Sequence, residues 1–486
     1  MNYSDSARIK AVLTNCGFLH VDNKEQADIV ILDTCSVRQK SEDKVRWQLK
    51  ELRVDQKVRL TGCMIQHNLN LKKTRTTKSK KYTMGNFSGD VMSQEPMIVG
   101  LETLEDDKQL RQLVKEFALW TSNRTDEMLY VNHAFDPLFR QMHATFPNIE
   151  LFFRINDIGF LPYVLRKIGY DVHPDVDVVS EYTGIIPHNA NMLFKENTKT
   201  AYVPISTWCS QFCAYCIVPY ARGLEKNRPL EEIIAEVKTQ VAQGSEEIVL
   251  LGQIVNKHPD FYQILKQSSE IPGVRRLRYT SPYPTYYNAN IRALHEDKEN
   301  ICPHIHMPLQ SWSDAVLKKM FRGYSKEQYL GFVDAIRGLK RPISITTDII
   351  IWFSYETEED FEESLEVMKY SAFDMVYMGI YSPRPGTYGA KKYEDTVPMA
   401  VKKERRNRMN ALLTQISRAN NTLEIGTKRE VIVKEKQENV LIGYSDNMKN
   451  IVIQGSDELF QTIEVGNFVN TTIVDTEAFK LYAELA

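Results

Sequence analysis

The chain has 486 residues, 43% of them apolar and 26% charged, enough to bury substantial cores in about two to four domains. A net charge of −2 excludes a global attraction to nucleic acid and leaves any RNA contact to local basic patches. No segment approaches the roughly 18 apolar residues of a membrane span, no basic-then-apolar leader opens the chain, and seven cysteines in this setting point to reduced thiols and metal ligation rather than disulfides. A cytoplasmic protein with no membrane partner is expected.

The first block opens on a predicted helix, Ser4 to Cys16, in which Ile9, Val12, Leu13 and Cys16 recur at helical spacing and share one face. Cys16 therefore reads as a core thiol. A buried strand follows over Asp28 to Asp33 and delivers Cys35, and a second near Val58 to Thr61 delivers Cys63. Two cysteines just beyond adjacent strand ends suit a metal group at the edge of a parallel sheet, and on spacing alone they suit two core thiols as well. Residues 68 to 140 form an insertion with a basic run, Lys72 to Lys81, read as a solvated loop with a phosphate-binding patch as the alternative, and a helix-like stretch from Lys108 to Trp120.

The most specific pattern is Trp208-Cys-Ser-Gln-Phe-Cys-Ala-Tyr-Cys-Ile-Val-Pro-Tyr220. Its C-x3-C-x2-C spacing offers Cys209, Cys213 and Cys216 to a 4Fe-4S cube and leaves the fourth iron open, whereas a closed zinc site wants four ligands. Strands and helices then alternate to about residue 425. Ile233, Ile234, Val237 and Val241 stripe a helix that starts at Pro229 and ends at Gly244, and strands are predicted at Glu247 to Leu251, Arg276 to Tyr279, His304 to Met307, Ile343 to Phe353 and Met375 to Tyr381. Capping boxes open helices at Ser325 with Gln328 and at Thr357 with Asp360. This order predicts an α/β fold, a partial (β/α)6 barrel with its chemistry at the carboxyl ends of the strands. The last block, 426 to 486, reads as five short strands in a small β-barrel of the oligonucleotide-binding kind.

The cysteine loop resembles that of the radical S-adenosylmethionine (SAM) enzymes. That resemblance implies that SAM chelates the open iron and is cleaved by one electron to a 5′-deoxyadenosyl radical. Tyr215, Gly252, Gln253, Gln310, Ser311 and Glu356 are then the candidate SAM contacts. The runs Asn23-Lys-Glu-Gln-Ala-Asp-Ile-Val-Ile-Leu-Asp-Thr-Cys-Ser-Val-Arg38 and Gly62-Cys-Met-Ile-Gln66 resemble the N-terminal domain of the methylthiotransferases, over residues 1 to 190, beside a barrel over 195 to 425. In that family a second 4Fe-4S cluster is held by three N-terminal cysteines, of which Cys35 and Cys63 match the second and third. The family's first cysteine precedes a Met-Asn pair, and this chain opens at that pair, so a natural start upstream and an incomplete auxiliary site are the expectation. Cys216-Ile-Val-Pro-Tyr-Ala-Arg-Gly223 with Leu250-Leu-Gly-Gln-Ile-Val-Asn256 resembles the MiaB-type branch, which acts on isopentenylated adenosine beside the tRNA anticodon. The resemblance implies two SAM molecules per turnover, one methylating the sulfur and one giving the radical that attacks carbon 2 of the adenine. The alternatives are threonylcarbamoyladenosine or a ribosomal-protein aspartate as substrate, or a non-catalytic tRNA-binding relic.

The last block resembles the TRAM domain, with Arg405, Arg406, Lys428 and Arg429 as candidate tRNA contacts, helped by Lys402, Lys403 and Arg408. A flavodoxin or ferredoxin electron donor and a monomeric state are expected. Arg384, in Tyr381-Ser-Pro-Arg-Pro-Gly-Thr387, reads equally as an anion contact and as a turn residue. Three tryptophans depart from the family pattern by standing on glycine positions: Trp208, Trp312 and Trp352. Glycine is also scarce, at 22 residues. A translation that reads UGA as tryptophan in a lineage that reads it as glycine would produce this pattern.

Overall fold

The computed structural model describes residues 2–21, 23–35, 39–65, 98–99, 142, 144–153, 155–167, 169–173, 199–395 and 397–486. The basic run, the Lys108 to Trp120 helix and the linker before residue 199 lie outside the described residues. The chain divides into two compact units, residues 1–192 with 207–211 and 216–226, and residues 193–206 with 212–215 and 227–486.

The first unit is built on a four-stranded sheet: β1 (Ile29–Thr34), β2 (Lys57–Gly62), β3 (Ile98–Val99) and β4 (Ile149–Phe153), in the order β1-β2-β4-β3. β1, β2 and β4 run parallel, and the two-residue β3, from within the insertion, pairs antiparallel at the edge. The opening helix spans Asn2–Asn15, and its apolar stripe of Ile9 and Val12, continued by Cys16 just past its end, packs on Leu151 and Phe153 of β4 as the periodicity predicts. The helix Gln39–Glu51 covers the opposite face through Val45 and Leu49, against Val58 and Leu60. Side chains alternate across β2, so Arg59 lies on the other face, its guanidinium 4.4 Å from the Tyr170 ring.

The second unit carries six parallel strands in sequential order: β5 (Thr200–Pro204), β6 (Glu247–Leu251), β7 (Arg276–Tyr279), β8 (His304–His306), β9 (Ser344–Ile351) and β10 (Met375–Ile380). They form two three-stranded sheets, and Leu277 joins them by bonding Asn300 and Cys302 on the approach to β8. The strands match the sequence reading to within one or two residues at most ends. Both capping boxes are present, and the stripe of Ile233, Ile234 and Val237 is buried on the helix Leu230–Ala242, for which Pro229 is the cap rather than the first helical residue.

The C-terminal strands β11 (Lys428–Gln437), β12 (Val440–Ser445), β13 (Asn450–Gln454), β14 (Phe468–Thr476) and β15 (Leu481–Leu485) close into a barrel in the order β11-β12-β13-β15-β14. Closure removes the free edges that short strands would otherwise expose. Val431, Val433, Leu441, Ile451, Ile453 and Ile473 fill its interior. The barrel docks on the amino ends of β6 and β7. Arg278 Nε donates to Glu247 Oε1 at 2.7 Å, Tyr444 Oη donates to Glu247 Oε2 at 2.5 Å, and the Arg278 fork reaches the carbonyls of Ser445 and Asp446 at 2.8 Å.

Two of the three tryptophans on expected glycine positions adopt left-handed backbone, Trp208 at φ 66° and Trp352 at φ 67°. Tyr355, on the second glycine position of the same loop motif, also has φ 67°. A side chain held there costs about 1–2 kcal/mol, whereas glycine has no such penalty. Trp312 is fully buried, and among the described residues its indole N–H finds no acceptor. Peptide mass spectrometry of the protein from its own host is therefore expected to return glycine masses at positions 208, 312 and 352. Tryptophan masses there would overturn the codon reading.

Candidate active site

In the first unit, β1 and β2 end in register, Thr34 opposite Gly62, so the next residues, Cys35 and Cys63, leave the same sheet edge. Gly62 has φ 95°, and a Cβ on it would sit 2.3 Å from Asp33 Oδ1 and 2.4 Å from the Thr34 carbonyl oxygen, so only glycine lets the two strand ends close up. Cys63 is buried, which pushes its thiol up; the guanidinium of Arg222 opposes this, with Nε–H donating to Sγ at 2.9 Å. Arg222 ends the short helix Val218–Arg222 that follows Cys216, is 2% exposed, and pairs through Nη2 with buried Asp5 at 2.7 Å. Asp33 presents two buried carboxylate oxygens with no hydrogen-bond partner among the described residues. Burial and the charge of Asp5 push its carboxyl up to about 8, against the pull of Arg222. Sequence reasoning missed Arg222, Asp5 and Asp33.

Two thiols, a glycine-shaped cradle and a buried cation fit an anionic thiolate-ligated group at this edge. Cys16 is no candidate third ligand. It is packed among Ile9, Val12 and Leu151, where burial raises its thiol to about 11.

In the second unit the expected SAM residues sit beyond the carboxyl ends of the parallel strands. Gly252 directly follows β6 and is buried, and a Cβ on it would meet Ser206 Oγ at 2.7 Å. Gln253 is half-buried beside it. Gln310, beyond β8, has φ 78° and bridges to the end of β9, its N–H donating to the Asp348 carbonyl at 2.8 Å. Ser311 is buried, its hydroxyl accepting from the Ser313 N–H at 3.4 Å. Tyr215 lies edge-on to Phe353 in the loop after β9, and Ala214 is tied by backbone bonds to Met320 and Gly389. Arg322, absent from the sequence reading, brings its guanidinium 3.5 Å from Cys213 Sγ and 3.4 Å from the Tyr215 hydroxyl, with a further bond to the Pro308 carbonyl. Also missed was a polar chain on β8 and β9. His306 Nδ1 meets Thr346 Oγ1 at 2.9 Å and its Nε2 meets Asp348 Oδ2 at 3.2 Å. The signal was available in the period-2 placement of Thr346 and Asp348 on one face of a strand.

Among the described residues no three His, Cys, Asp or Glu side chains converge on a single ion position. The ligands of a cubane bind different iron atoms, so they need not converge in that way. Cys209 and Cys213 are buried and Cys216 half-buried, all three free thiols. Gln211 N–H points at Cys209 Sγ at 3.4 Å. A donor set of three thiols, with a cation beside Cys213, fits the cluster that the spacing predicts.

Several basic residues expected on an RNA face turn inward. Arg405 is buried, stacked 4.4 Å from the Trp352 ring centroid and paired with Glu358 at 2.5 Å. Lys402 is 1% exposed and held by Asp395, while Arg429 is held by Glu424 at 2.7 Å and Asp446 at 3.5 Å. Arg408 pairs with Glu358 and Glu362. Lys403 and Lys428 remain exposed and Arg406 half-buried. Arg384 is buried, and its carbonyl accepts from the Thr387 N–H at 3.1 Å, so its main chain forms a turn, which is compatible with either reading of its side chain.

Glu356 closes the turn after β9 by accepting the Trp352 N–H at 2.9 Å. Burial raises its carboxyl to about 8 from 4.5, outweighing that hydrogen bond and Arg405. Between those pH values the folded chain keeps a proton that the unfolded chain has released, so stability falls as pH rises through the window and levels off above it. Glu356→Gln keeps an acceptor for the Trp352 N–H and is expected to flatten the fall of Tm between about pH 5 and 8, with a gain of about 1–3 kcal/mol at pH 8. An unchanged Tm profile would show that Glu356 is charged in the fold.

Residues 203–368 match the Radical SAM superfamily, and residues 1–83 match the Uncharacterized protein family UPF0004. The tRNA-2-methylthio-N(6)-dimethylallyladenosine synthase of Geobacillus thermodenitrificans (strain NG80-2) is 32% identical, covering 100% of this chain and 82% of that protein. The enzyme of the same name from Carboxydothermus hydrogenoformans is 30% identical over 99% of this chain and 96% of that protein, and that from Finegoldia magna 29% over 100% and 92%. Among solved structures, the radical S-adenosylmethionine methyltransferase TsrM from Kitasatospora setae is similar at 13% identity and a TM-score of 0.46, covering 80% of this chain and 72% of that one. With full-length relatives at this identity, a radical SAM region and the accompanying N-terminal region, the chain belongs to the tRNA-2-methylthio-N(6)-dimethylallyladenosine synthase family of radical SAM enzymes.

Proposed function

We propose that this enzyme methylthiolates carbon 2 of isopentenylated adenosine next to the anticodon of tRNA, with Cys209, Cys213 and Cys216 holding the SAM cluster and Cys35 and Cys63 contributing to an auxiliary one. The observation that carries this reading is the set of residues beyond the carboxyl ends of the parallel strands. Tyr215, Gly252, Gln310, Ser311 and Glu356 all occupy loops there in the second unit, on the side of the sheets where α/β enzymes hold their ligands. When bound, a cluster at Cys209, Cys213 and Cys216 would supply the electron for SAM cleavage, and one at Cys35 and Cys63 would hold the sulfur to be transferred.

The protein's own residues set the conditions for that chemistry. Arg322 places a permanent positive charge 3.5 Å from Cys213 Sγ and 3.4 Å from the Tyr215 hydroxyl, beside a donor atom of the negatively charged group the loop would hold. Phe353, Tyr381 and Met320 pack around Ala214, so the loop carrying Cys213 is held from below by an apolar core that excludes water. Gly252 and the left-handed Gln310 let main chain approach a ligand closely. Of the basic residues expected on the RNA face, Lys403, Arg406 and Lys428 are the candidates for tRNA phosphates, since Lys402, Arg405 and Arg429 are engaged internally. A small external electron donor completes the cycle, and the chain acts as a monomer in the cytoplasm.

Cys213→Ala is expected to abolish SAM cleavage while circular dichroism and Tm stay close to the parent. Surviving cleavage would remove Cys213 from the ligand set. Iron and sulfide reconstitution is expected to give about eight irons per chain, falling to about four in Cys35→Ala/Cys63→Ala, whereas four in the parent would leave a single cluster. With Cys35 and Cys63 as its auxiliary cysteines, the parent is expected to cleave SAM without efficient 2-methylthio product from tRNA bearing isopentenylated adenosine, read by mass spectrometry of its nucleosides; full product formation would refute this, and loss of SAM cleavage as well would favour a binding role. Lys428→Ala is expected to reduce the slope of log affinity against log salt for tRNA by about 0.7–0.9, and an unaltered slope would take Lys428 out of the interface.

A further inference from the structure

We infer that Arg222 is a positioning residue that sets the reduction potential of the cluster held by Cys35 and Cys63, and that Asp5 tunes it in the opposite direction. This rests on reading those two cysteines as cluster ligands. The geometry has three parts. Arg222 Nε–H donates to Cys63 Sγ at 2.9 Å, so the hydrogen bond falls on the ligating atom itself. The second arm of the fork, Nη2, lies 2.7 Å from Asp5 Oδ2, which fixes the guanidinium plane. Asp5, Cys63 and Arg222 are all buried, with Arg8 also buried and 3.9 Å from Asp5, so the charges act through protein rather than bulk water.

A reduced iron–sulfur cluster carries one more negative charge than its oxidised form. A hydrogen bond and a full positive charge on a ligand sulfur favour that form and raise the potential. Asp5 offsets part of the Arg222 charge and so lowers it. Arg222 stands at the end of the helix that begins just after Cys216, so the segment carrying a ligand of the SAM cluster also delivers the donor to the auxiliary one. Lysine could keep the charge at this position but not the two-armed geometry.

The test is a redox titration, followed by electron paramagnetic resonance, of the full chain in a Cys209→Ala/Cys213→Ala/Cys216→Ala background, where only the auxiliary cluster remains. Arg222→Gln is expected to move the midpoint to more negative potential by about a tenfold change in the oxidised-to-reduced ratio, about 59 mV for one electron. Arg222→Lys is expected to move it less in the same direction, and Asp5→Asn to move it to more positive potential. A merely structural role would shift Arg222→Gln and Asp5→Asn alike. Where Arg222→Gln does not fold, Arg222→Lys and Asp5→Asn carry the comparison. A cluster whose potential is unmoved, or moves in one direction in both variants, overturns the role of Arg222 and Asp5 alone. No cluster in the triple-alanine background overturns the ligand reading and this inference with it.

Discussion

A guanidinium beside a cysteine sulfur is the interaction that recurs in each of the two units. A thiol must lose its proton to bind iron, and burial opposes that loss, as the raised Cys63 thiol shows. At Cys63 the opposing charge comes from Arg222, a group that stays protonated at any working pH, and Arg322 brings the same kind of group 3.5 Å from Cys213 Sγ. The arrangement in the first unit also constrains its fold. Arg222 is buried, so Asp5 must stand where it does to neutralise it, and removing one member of such a pair typically costs about 3–5 kcal/mol. The first turns of the opening helix and the segment after Cys216 are thereby pinned to the end of β2.

Parallel strands direct this chemistry to one end of the second unit and docking to the other. Glu247, the first residue of β6, is buried; although burial works to raise its carboxyl, Arg278 and Tyr444 hold it below the usual carboxylate range. It is thus an ionised group at the amino end of the sheet, satisfied by a neighbouring strand and by the C-terminal barrel together. Because the barrel is fastened there, the loops after β6, β8 and β9 at the opposite ends stay clear of it. The tRNA contact proposed for Lys428 would therefore be made by a module seated on the sheet's far edge and fixed to it by buried charge.

Most of the secondary structure was legible because it follows from short-range pattern. The stripe of Ile9, Val12 and Cys16, the two capping boxes and the alternation in β11 and β13 each declare an element within a dozen residues. The cysteine spacing singled out the three proposed SAM-cluster donors for the same reason. The arginines were illegible because their partners are remote in sequence: Arg222 and Cys63 are 159 positions apart, Arg322 and Cys213 are 109. The misplaced RNA residues are a different case. Lys402, Arg405, Met409 and Leu413 are spaced three and four apart on the helix Met399–Thr422, and all four are buried. The periodicity marked Lys402 and Arg405 as inward-facing beside two core residues, and treating a basic run as one surface overlooked it.

The turn after β9 shows how a chain holds a loop geometry with the wrong residue in it. Trp352 and Tyr355 both take left-handed backbone, so residue preference works against the turn at two of its positions. Three contacts work for it. Glu356 accepts the Trp352 N–H at 2.9 Å, the Trp352 indole donates to the Lys402 carbonyl at 2.8 Å, and Arg405 stacks on the indole face at 4.4 Å. The first of these uses only main chain and carboxylate and would persist with glycine at 352. The other two exist only because an indole is there, and they bury a side chain that brings about as much apolar stabilisation as the strained backbone costs. The turn is therefore specified by the end of β9 and by Glu356, and the side chain at 352 changes what packs behind the loop more than the path the loop takes.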